Sequence, residues 1–512
     1  MSTEHQDNAS VDSIKQLGLF AAISSLGYVF WIVGGMEMIE RLAYYGVKAV
    51  AALYAKDPVS KGGLGINMED FGTILLVWAL IQSIVPVFTG GLSDRYGYKE
   101  TIFASTAVKI IGYLVMAFMP TFNGFMLGAV VLAFGTAIFK PGIQGTLVNC
   151  TRPENSSMAW GVFYQTVNIG GFLGPILAGK MRLLAWENVF FACAAIISLN
   201  FFMLLVYKEP GKEERLKRAQ ALKDSGEEQE NLLEDSLNEL KKPALWLYLV
   251  IFSGFWFMFN ALFDVLPVHI DEWVDSSDIV TTLFGEGGAT SSSFWGSVLV
   301  LNREGTHILP EGLLNINAGL IMITCFAFAW LSGLMKATNS MVAGTLLATA
   351  SLFLIGSATT GWVMAGVVCI FSVGEMLSSP KFSEFIGNMA PPDKKAMYLG
   401  FSQIPLAVGW TLEGKLGPML YDIYASKERI ARAELDKMGL PTDLQTLPEG
   451  EAFSKLVEAT GKSAEALTTQ LHAANDIHMV WWIMGVVGIF SAIGIYMYGR
   501  WLLAMQEKPA AS

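Results

Sequence analysis

Residues 37–48 read Glu-Met-Ile-Glu-Arg-Leu-Ala-Tyr-Tyr-Gly-Val-Lys, and they lie inside a long apolar stretch near the start of the chain. A helix advances about 100° per residue, so the polar side chains of this stretch share one face. These are Glu37, Glu40, Arg41, Tyr44 and Lys48. An ionised side chain at the centre of a bilayer costs about 2.5–3.5 kcal/mol, so this face must contact protein or water. The stretch predicts a membrane-spanning helix with a functional charged face; an ion-pair network that only fixes helix packing is the alternative.

The composition of the whole chain agrees with a protein built largely from such helices. Of the 512 residues, 53% are hydrophobic and 15% are charged, whereas soluble domains carry about 25% charged residues. The four cysteines lie in apolar runs, which favours buried small side chains over a disulfide framework. The polar, acidic start of the chain lacks the basic region of a signal peptide, so we expect the first span to be retained.

Twelve apolar runs are long enough to cross a bilayer, and they form two sets of six. The predicted spans are residues 26–55, 71–91, 101–120, 124–147, 158–179, 187–207, 244–268, 312–335, 341–359, 362–385, 396–424 and 476–505. The corresponding domains are an N-terminal tail at 1–25, a first bundle at 26–207, a linker at 208–243, a second bundle at 244–505 and a tail at 506–512.

The distribution of charge predicts the orientation of these spans. The linker is rich in Lys and Arg, and positive charge marks cytoplasmic loops. Because an even number of spans lies on each side of the linker, we expect both termini in the cytoplasm and the protein in a plasma membrane, as in a bacterial inner membrane. Two long loops then lie outside: residues 271–311, partly ordered, and an insertion at 425–475, with helices over Lys427–Met438 and Ala452–Ala474.

A glycine-rich segment follows the second predicted span and reads Gly90-Gly-Leu-Ser-Asp94-Arg95-Tyr-Gly-Tyr-Lys99. We interpret it as a turn whose Asp94 and Arg95 dock against neighbouring helix ends and latch a cytoplasmic gate. Its spacing and its position resemble the signature loop of the major facilitator superfamily. The resemblance implies an all-α polytopic membrane protein with twelve transmembrane helices in two six-helix bundles, which acts as a secondary active transporter.

Within that superfamily, the opening stretch resembles the E-x-x-E-R-F-x-Y-Y signature of the proton-dependent oligopeptide transporter family, with Leu42 in place of Phe. Four further segments resemble elements of the same family in the same order: Lys140-Pro141, Phe163-Tyr164 with Asn168, Leu309-Pro310 with Asn317, and Glu375 with Ser379-Pro380. The resemblance implies proton-coupled symport of di- and tripeptides or peptide-like solutes.

Three departures from the family bear on the substrate. Lys48 stands where the family usually has Arg, and Ser83 or Ile84 lies where the family has a tyrosine in span two. The span-eleven segment Ala407–Trp410 lacks the usual Asn. A transporter of a different small zwitterion or organic anion therefore stays open as the alternative.

The embedded polar residues suggest a division of roles. Proton coupling needs a carboxyl that binds and releases a proton beside a cation, which fits Glu37, Glu40 and Arg41. A peptide needs an acid for its amine and a base for its carboxylate, which Glu375 and one of Arg41, Lys48 or Lys140 supply. Four further residues are candidates for contacts with the substrate: Tyr44, Tyr164, Asn168 and Asn317.

Gating residues are predicted from depth along the spans. Lys48 lies towards the outside, where Asp264 near the end of span seven is its candidate partner. On the inside, we expect Lys140 to pair with Glu375 or with the two carboxylates of the opening stretch. Three other embedded charges are expected to form structural ion pairs: Lys109, Glu413 and Lys415.

Other classes of function have little support in the sequence. A membrane-embedded enzyme would need a nucleophile with a base or a metal-binding cluster, yet the five histidines lie in the tail, in outside loops or at span ends. A receptor would need a signalling domain, and none is recognisable. We expect no cofactor, no metal and no nucleic acid, and a monomer that works in the lipid bilayer with protons and a peptide-like solute.

Overall fold

The computed structural model describes residues 19–152, 154–213, 216–217, 220, 237–391, 398 and 400–506. Within these ranges the side chains of residues 87–92, 94–95, 156–158, 329, 383 and 387 are not described.

This part of the chain contains nineteen α-helices, numbered here in chain order. They are α1 Leu19–Ser24, α2 Tyr28–Lys56, α3 Met68–Tyr96, α4 Tyr98–Phe118, α5 Phe122–Cys150, α6 Ser156–Arg182, α7 Trp186–Val206, α8 Pro243–Asp264, α9 Leu266–Trp273, α10 Ser277–Phe284, α11 Phe294–Val298, α12 Pro310–Gly333, α13 Ala337–Ile355, α14 Gly361–Met389, α15 Gln403–Tyr424, α16 Lys427–Lys437, α17 Ala452–Thr460, α18 Ala464–Ala474 and α19 Met479–Gln506.

Twelve of these helices are long, and each coincides with one of the twelve predicted spans. Nine of the twelve are long and apolar enough to cross a membrane by length and composition. The other three are α2, α6 and α15; α2 carries Glu37, Glu40, Arg41 and Lys48, and α15 carries Glu413 and Lys415. The prediction of an all-α polytopic membrane protein is confirmed.

The long helices pack as two bundles of six. In the first, α2 packs against α6 and α7, and α4 packs against α5 and α7. In the second, α8 packs against α15 and α19, and α13 packs against α14 and α19. The bundles meet where α3 contacts α15 and where α6 contacts α12. The junction between the bundles is therefore bordered by α3 and α6 of the first bundle and by α12 and α15 of the second.

The two ends of the molecule are distinguished by their connections. The end that carries residues 425–475 is called the insertion end, and the end where α7 leads towards α8 is called the linker end. Lys56 and Asp264 end their helices at the insertion end. The linker prediction for residues 208–243 falls largely outside the described residues.

Two predicted boundaries are wrong. The glycine-rich segment is not a turn, because α3 continues through it to Tyr96 and the chain breaks only at Gly97, whose φ of 113° suits glycine. The seventh span stops at Asp264 rather than residue 268, and Pro267 opens the separate helix α9.

The insertion is helical, as predicted, but its second helix is divided in two. The break between α17 and α18 falls at Gly461, which has a φ of 64°. Ser463 then caps α18 by accepting a hydrogen bond from the backbone N–H of Ala466. The loop at 271–311 also contains ordered structure, namely α10, α11 and an isolated bridge between Leu301 and Ile308.

Candidate functional site

The charged residues of α2 form a buried cluster in the first bundle. The Arg41 Nε atom lies 3.2 Å from Glu37 Oε1 and donates a hydrogen bond of 2.5 Å to Glu40 Oε2. Lys109 of α4 is fully buried, and its ammonium lies 3.0 Å from Glu40 Oε1 and 3.7 Å from the centroid of the Phe139 ring. Two carboxylates thus face two cations, so the cluster is balanced in charge when all four groups are ionised.

Glycines of α6 place this cluster close to a second helix. A Cβ atom added at Gly170 would lie 2.8 Å from Arg41 Cβ, and one added at Gly174 would lie 2.6 Å from the Leu42 carbonyl oxygen. Small residues allow helix backbones to approach closely in membranes. The backbone of α6 therefore rests on the turn of α2 that carries Arg41, and it limits where the guanidinium can point.

Lys140 of α5 lies at the edge of the cluster. It is half-buried and interacts electrostatically with Glu37, Glu40 and Arg41. Within the described part of the chain its ammonium has no hydrogen-bond or ion-pair partner, so the predicted ion pairs with Glu375 or the α2 carboxylates are absent from this conformation. A cation beside a balanced cluster is available to an anionic group of a ligand.

Glu375 of α14 provides an acidic group on the opposite bundle. Its carboxyl is buried, and its Oε2 atom accepts a hydrogen bond of 3.0 Å from Asn317 Nδ2 of α12. Asn317 also donates to Ser372 Oγ at 3.0 Å. Electrostatic interactions connect Glu375 with Tyr45 and Tyr164 of the first bundle. The structure thus brings Glu375 to the junction between the bundles, with Asn317 as its support.

The other predicted substrate contacts lie around the same junction. The Tyr164 side chain is 45% exposed, and Asn168 uses its Nδ2 atom to donate 3.1 Å to the Tyr164 backbone oxygen. Tyr44 is buried, accepts a hydrogen bond of 3.1 Å from Gln82 Nε2 and packs edge-on against Trp78. Tyr164 is therefore open to a solute, whereas Tyr44 is held by neighbouring side chains.

Lys48 lies between the bundles, nearer the insertion end. It is 4% exposed and forms an ion pair with Asp264 of α8. Trp410 of α15 donates 2.9 Å from Nε1 to Asp264 Oδ2, and its ring centroid lies 4.3 Å from the Lys48 ammonium. The predicted partner of Lys48 is thus in contact with it, and a tryptophan completes the arrangement.

Further ion pairs join the two bundles at the insertion end. Lys56 of α2 lies 2.7 Å from Asp271 and 3.2 Å from Glu272. Arg182 of α6 makes two hydrogen bonds with the buried Glu311 of α12, at 2.5 and 3.0 Å. Because each pair takes one residue from each half, the conformation described here is closed at the insertion end.

The insertion borders a charged cavity of about 250 Å³ beside the end of α2. Lys56, Asp271, Lys427 and Glu449 are among its lining residues. Burial lowers the pKa of Lys427 to about 8, and burial together with the nearby Glu428 raises the pKa of Glu449 to about 7. The insertion therefore places titratable groups directly against the ion pairs of Lys56.

Several contributors to the site were not predicted as such. Lys109 and Glu311 complete ion pairs with partners far away in the sequence. For Lys109 the available signal was a charged residue within an apolar run, whereas Glu311 lies at the end of a predicted outside loop and gave no such signal. Lys415 forms the expected structural pair, 3.8 Å from Glu69. Glu413 makes no ion pair among the described residues; its carboxyl meets that of Asp264 instead, and no described donor reaches its oxygens. The side chains of Asp94 and Arg95, the residues of the predicted cytoplasmic latch, lie outside the described residues, so that role stays a prediction.

The sequence model described as Major Facilitator Superfamily matches residues 17–412. The chain is 29% identical over 198 residues to the "Uncharacterized transporter YclF" of Bacillus subtilis (strain 168), a match that covers 37% of this chain and 39% of that protein. It is 20% identical over 411 residues to the "Multidrug resistance protein MdtH" of Yersinia pestis (strain Pestoides F), with 79% and 89% covered.

Solved structures show the same fold. A POT family transporter in complex with 5-aminolevulinic acid superposes with a TM-score of 0.67 at 16% identity, covering 96% of this chain and 99% of that one. The peptide transporter POT in complex with sulfate gives 0.62 at 16% identity, with 95% and 98% covered. Tetrameric PepTSo2 gives 0.62 at 17% identity, with 93% and 98% covered. From the extent of the family match, this chain belongs to the Major Facilitator Superfamily.

Proposed function

We propose that this transporter is a proton-coupled symporter of di- and tripeptides or peptide-like solutes that works by alternating access. The observation that carries the proposal is the position of Glu375 at the junction on one bundle, while the other bundle carries the Arg41 cluster and Lys140, which has no ion-pair partner among the described residues. An acid and a base on the two sides of one junction match the amine and carboxylate ends of a short peptide.

A solute bound this way would connect the two bundles. Its amine would replace the hydrogen bond that Asn317 now gives to Glu375, and its carboxylate would meet Lys140. Tyr164 and Asn168 lie on α6, and Tyr164 interacts electrostatically with Glu375; the two residues offer a hydroxyl and an amide to the peptide backbone. Binding to both halves at once supplies the differential interaction that a change of conformation requires.

Proton coupling is assigned to Glu37, Glu40 and Arg41. Protonation of either carboxyl would leave the cluster with an excess of positive charge, because Arg41 and Lys109 would then face a single carboxylate. Arg41 or Lys140 would become free to bind the substrate carboxylate. The proton and the substrate thus favour the same rearrangement, which is the requirement for symport.

A second candidate is a transporter of another small zwitterion or organic anion. One observation favours it: Lys48 is occupied by Asp264 and Trp410, and Gln82 holds Tyr44, so two expected peptide contacts are engaged within the protein. One solved POT family transporter is described in complex with 5-aminolevulinic acid, which is a small zwitterion rather than a peptide.

The placement in the membrane follows the charge of the loops. We propose a multi-pass protein of a bacterial inner membrane, with the linker end and both termini in the cytoplasm and the insertion outside. The proposed working unit is a monomer, since both bundles and the whole site come from one chain.

The proposal is tested by ligand-induced thermal stabilisation in detergent, screened over dipeptides, tripeptides and small zwitterions. Wild type should gain stability with a subset of these compounds, and Glu375→Gln should lose at least half of that shift. The matched control is Glu384→Gln, on the same helix, where Glu384 is paired with Lys381 at 2.7 Å and is half-exposed. Stabilisation of equal size in Glu375→Gln and wild type would contradict the role of Glu375.

A further inference from the structure

Glu413 of α15 is a buried carboxyl that the proposed mechanism does not use. It is 0% exposed, its side chain meets the carboxyl of Asp264, and neither of its oxygens accepts a hydrogen bond from a donor group in the described part of the chain. It interacts electrostatically with Asp264 of α8 and with Lys48 of α2. Asp264 is itself 1% exposed and already bonded to Lys48 and Trp410. Two buried carboxyls therefore share one cation.

An ionised Glu413 would be a buried charge without a cation of its own, which is strongly unfavourable. Two ionised carboxylates are also acceptors only, so neither can satisfy the other. A proton on Glu413 removes the charge and turns its hydroxyl into a donor towards Asp264. One proton makes the group of Lys48, Asp264 and Glu413 neutral.

From the burial of Glu413 against Asp264 and Lys48 we propose that Glu413 is a further proton-binding carboxyl, separate from the Glu37 and Glu40 cluster. In the conformation closed at the insertion end Glu413 holds one proton and shares it with the Asp264 carboxylate. Both carboxyls lie on the second bundle, whereas Lys48 lies on the first.

Other charged groups around α15 lie further along the helices or have their own partners. On α3, Glu69 is paired with Lys415. On α9, Glu272 accepts a hydrogen bond of 2.7 Å from the Tyr421 hydroxyl, and the His269 ring accepts one from Trp481. On α8, Asp264 is the sole charged residue, and α19 carries only Arg500, near its linker end. Lys48 and Asp264 are thus the charges that set the protonation of Glu413.

The presence of a proton on Glu413 is tested on substrate-free protein in lipid nanodiscs, by measuring the infrared absorption of protonated carboxyl groups at pH 8. The difference between wild type and Glu413→Gln should show the loss of one protonated carboxyl per chain. Glu311→Gln is the matched control, because Glu311 is equally buried but is paired with Arg182. A wild-type spectrum that Glu413→Gln leaves unchanged in this region would overturn the proposal.

A second variant keeps the test decisive if Glu413→Gln does not fold. In Asp264→Asn, Glu413 becomes the only carboxyl beside Lys48, so it should lose its proton and the same band should disappear. Persistence of the band in Asp264→Asn would show that Lys48 does not govern the proton, and it would overturn the shared site. The role of the site in coupling rests on the proposed function, but the infrared result does not, since it requires no transport.

Discussion

Lys109 is held in the first bundle by two contacts of its ammonium. Glu40 binds it as an ion pair at 3.0 Å, and the face of the Phe139 ring lies 3.7 Å away. Its position means that Arg41 does not face the two carboxylates of α2 alone. If Lys109 were neutral, the cluster would carry one excess negative charge, and the release of Arg41 to a substrate would be opposed.

We therefore predict that Lys109→Met destabilises the protein by about 3–5 kcal/mol, the usual cost of removing one partner from a buried ion pair. The double variant Lys109→Met with Glu40→Gln restores the balance of charge and should recover much of that loss. Thermal unfolding in detergent measures both effects. Lys99→Met, at the start of the same helix and only half-buried, is the control and should cost far less. A double variant no more stable than the single one would contradict the charge-balance account.

The sequence predicts the contacts of some buried charged residues and not of others. Glu37, Glu40 and Arg41 are neighbours on one helix, so their spacing alone predicts their contacts. Lys109 meets Glu40 across 69 residues of sequence, and Arg182 meets Glu311 across 129. Contacts of that kind depend on how helices pack, which apolar periodicity in a membrane span does not specify.

At the scale of the helix, the contact between α2 and α6 determines where the charged face of α2 lies. Gly170 and Gly174 are one helical turn apart, and both approach the backbone of α2 too closely for a side chain. The sequence places the motif containing Gly170 in a span, but it does not reveal that this glycine touches the turn carrying Arg41.

Gly170→Ala should reduce both stability and transport. The added Cβ would press on the Met38 carbonyl and on Arg41 Cβ, and overpacking of this kind costs about 1–3 kcal/mol. The neighbouring Gly171→Ala is the matched control, since its Cβ would meet the Tyr45 ring at 3.5 Å, an ordinary contact. Thermal unfolding and substrate uptake should separate the two variants. Equal behaviour of the two alanine variants would show that the close approach at Gly170 is unimportant.

The insertion at residues 425–475 is a second element in which burial changes the protonation of a side chain. Burial raises the pKa of Glu449 to about 7 from an ordinary value of 4.5, so the folded insertion binds this proton more tightly than the unfolded one. The stability from this group is fully present below pH 4.5 and is lost as the pH rises through 7. No feature of the sequence near Glu449 predicts that shift.

We predict that α17, which follows Glu449, exchanges its amide hydrogens more slowly at pH 5 than at pH 8 once intrinsic rates are corrected. Glu449→Gln should remove the part of this dependence that Glu449 contributes. The control is Glu458→Gln on α17, where the carboxylate is exposed and paired with Lys455. An unchanged pH dependence in Glu449→Gln would mean that other groups control the insertion.

At the scale of the whole molecule, the ion pairs between the bundles are concentrated at the insertion end. Lys48, Lys56 and Arg182 of the first bundle each meet an acid of the second. Glu375, Asn317 and the α2 cluster lie deeper, between that closed end and the linker end. Opposite charges on the two bundles can part and meet again, which is what alternating access between two conformations requires.

The twelve spans follow from the length of the apolar runs, because the thickness of a bilayer sets that length. The two-bundle architecture follows from the charged linker between the two sets of six and from the family resemblance. The break at Asp264, the helical path through the glycine-rich segment and the closed state of the insertion end do not. They depend on local φ angles and on which charges of one bundle meet those of the other.

The central claim is tested most directly by uptake of a labelled dipeptide into proteoliposomes, with and without an inward proton gradient. We predict accumulation above equilibrium only when the gradient is present, abolished by a proton ionophore and strongly reduced in Glu375→Gln. Folded wild-type protein that never accumulates the peptide above equilibrium under a gradient would contradict the account.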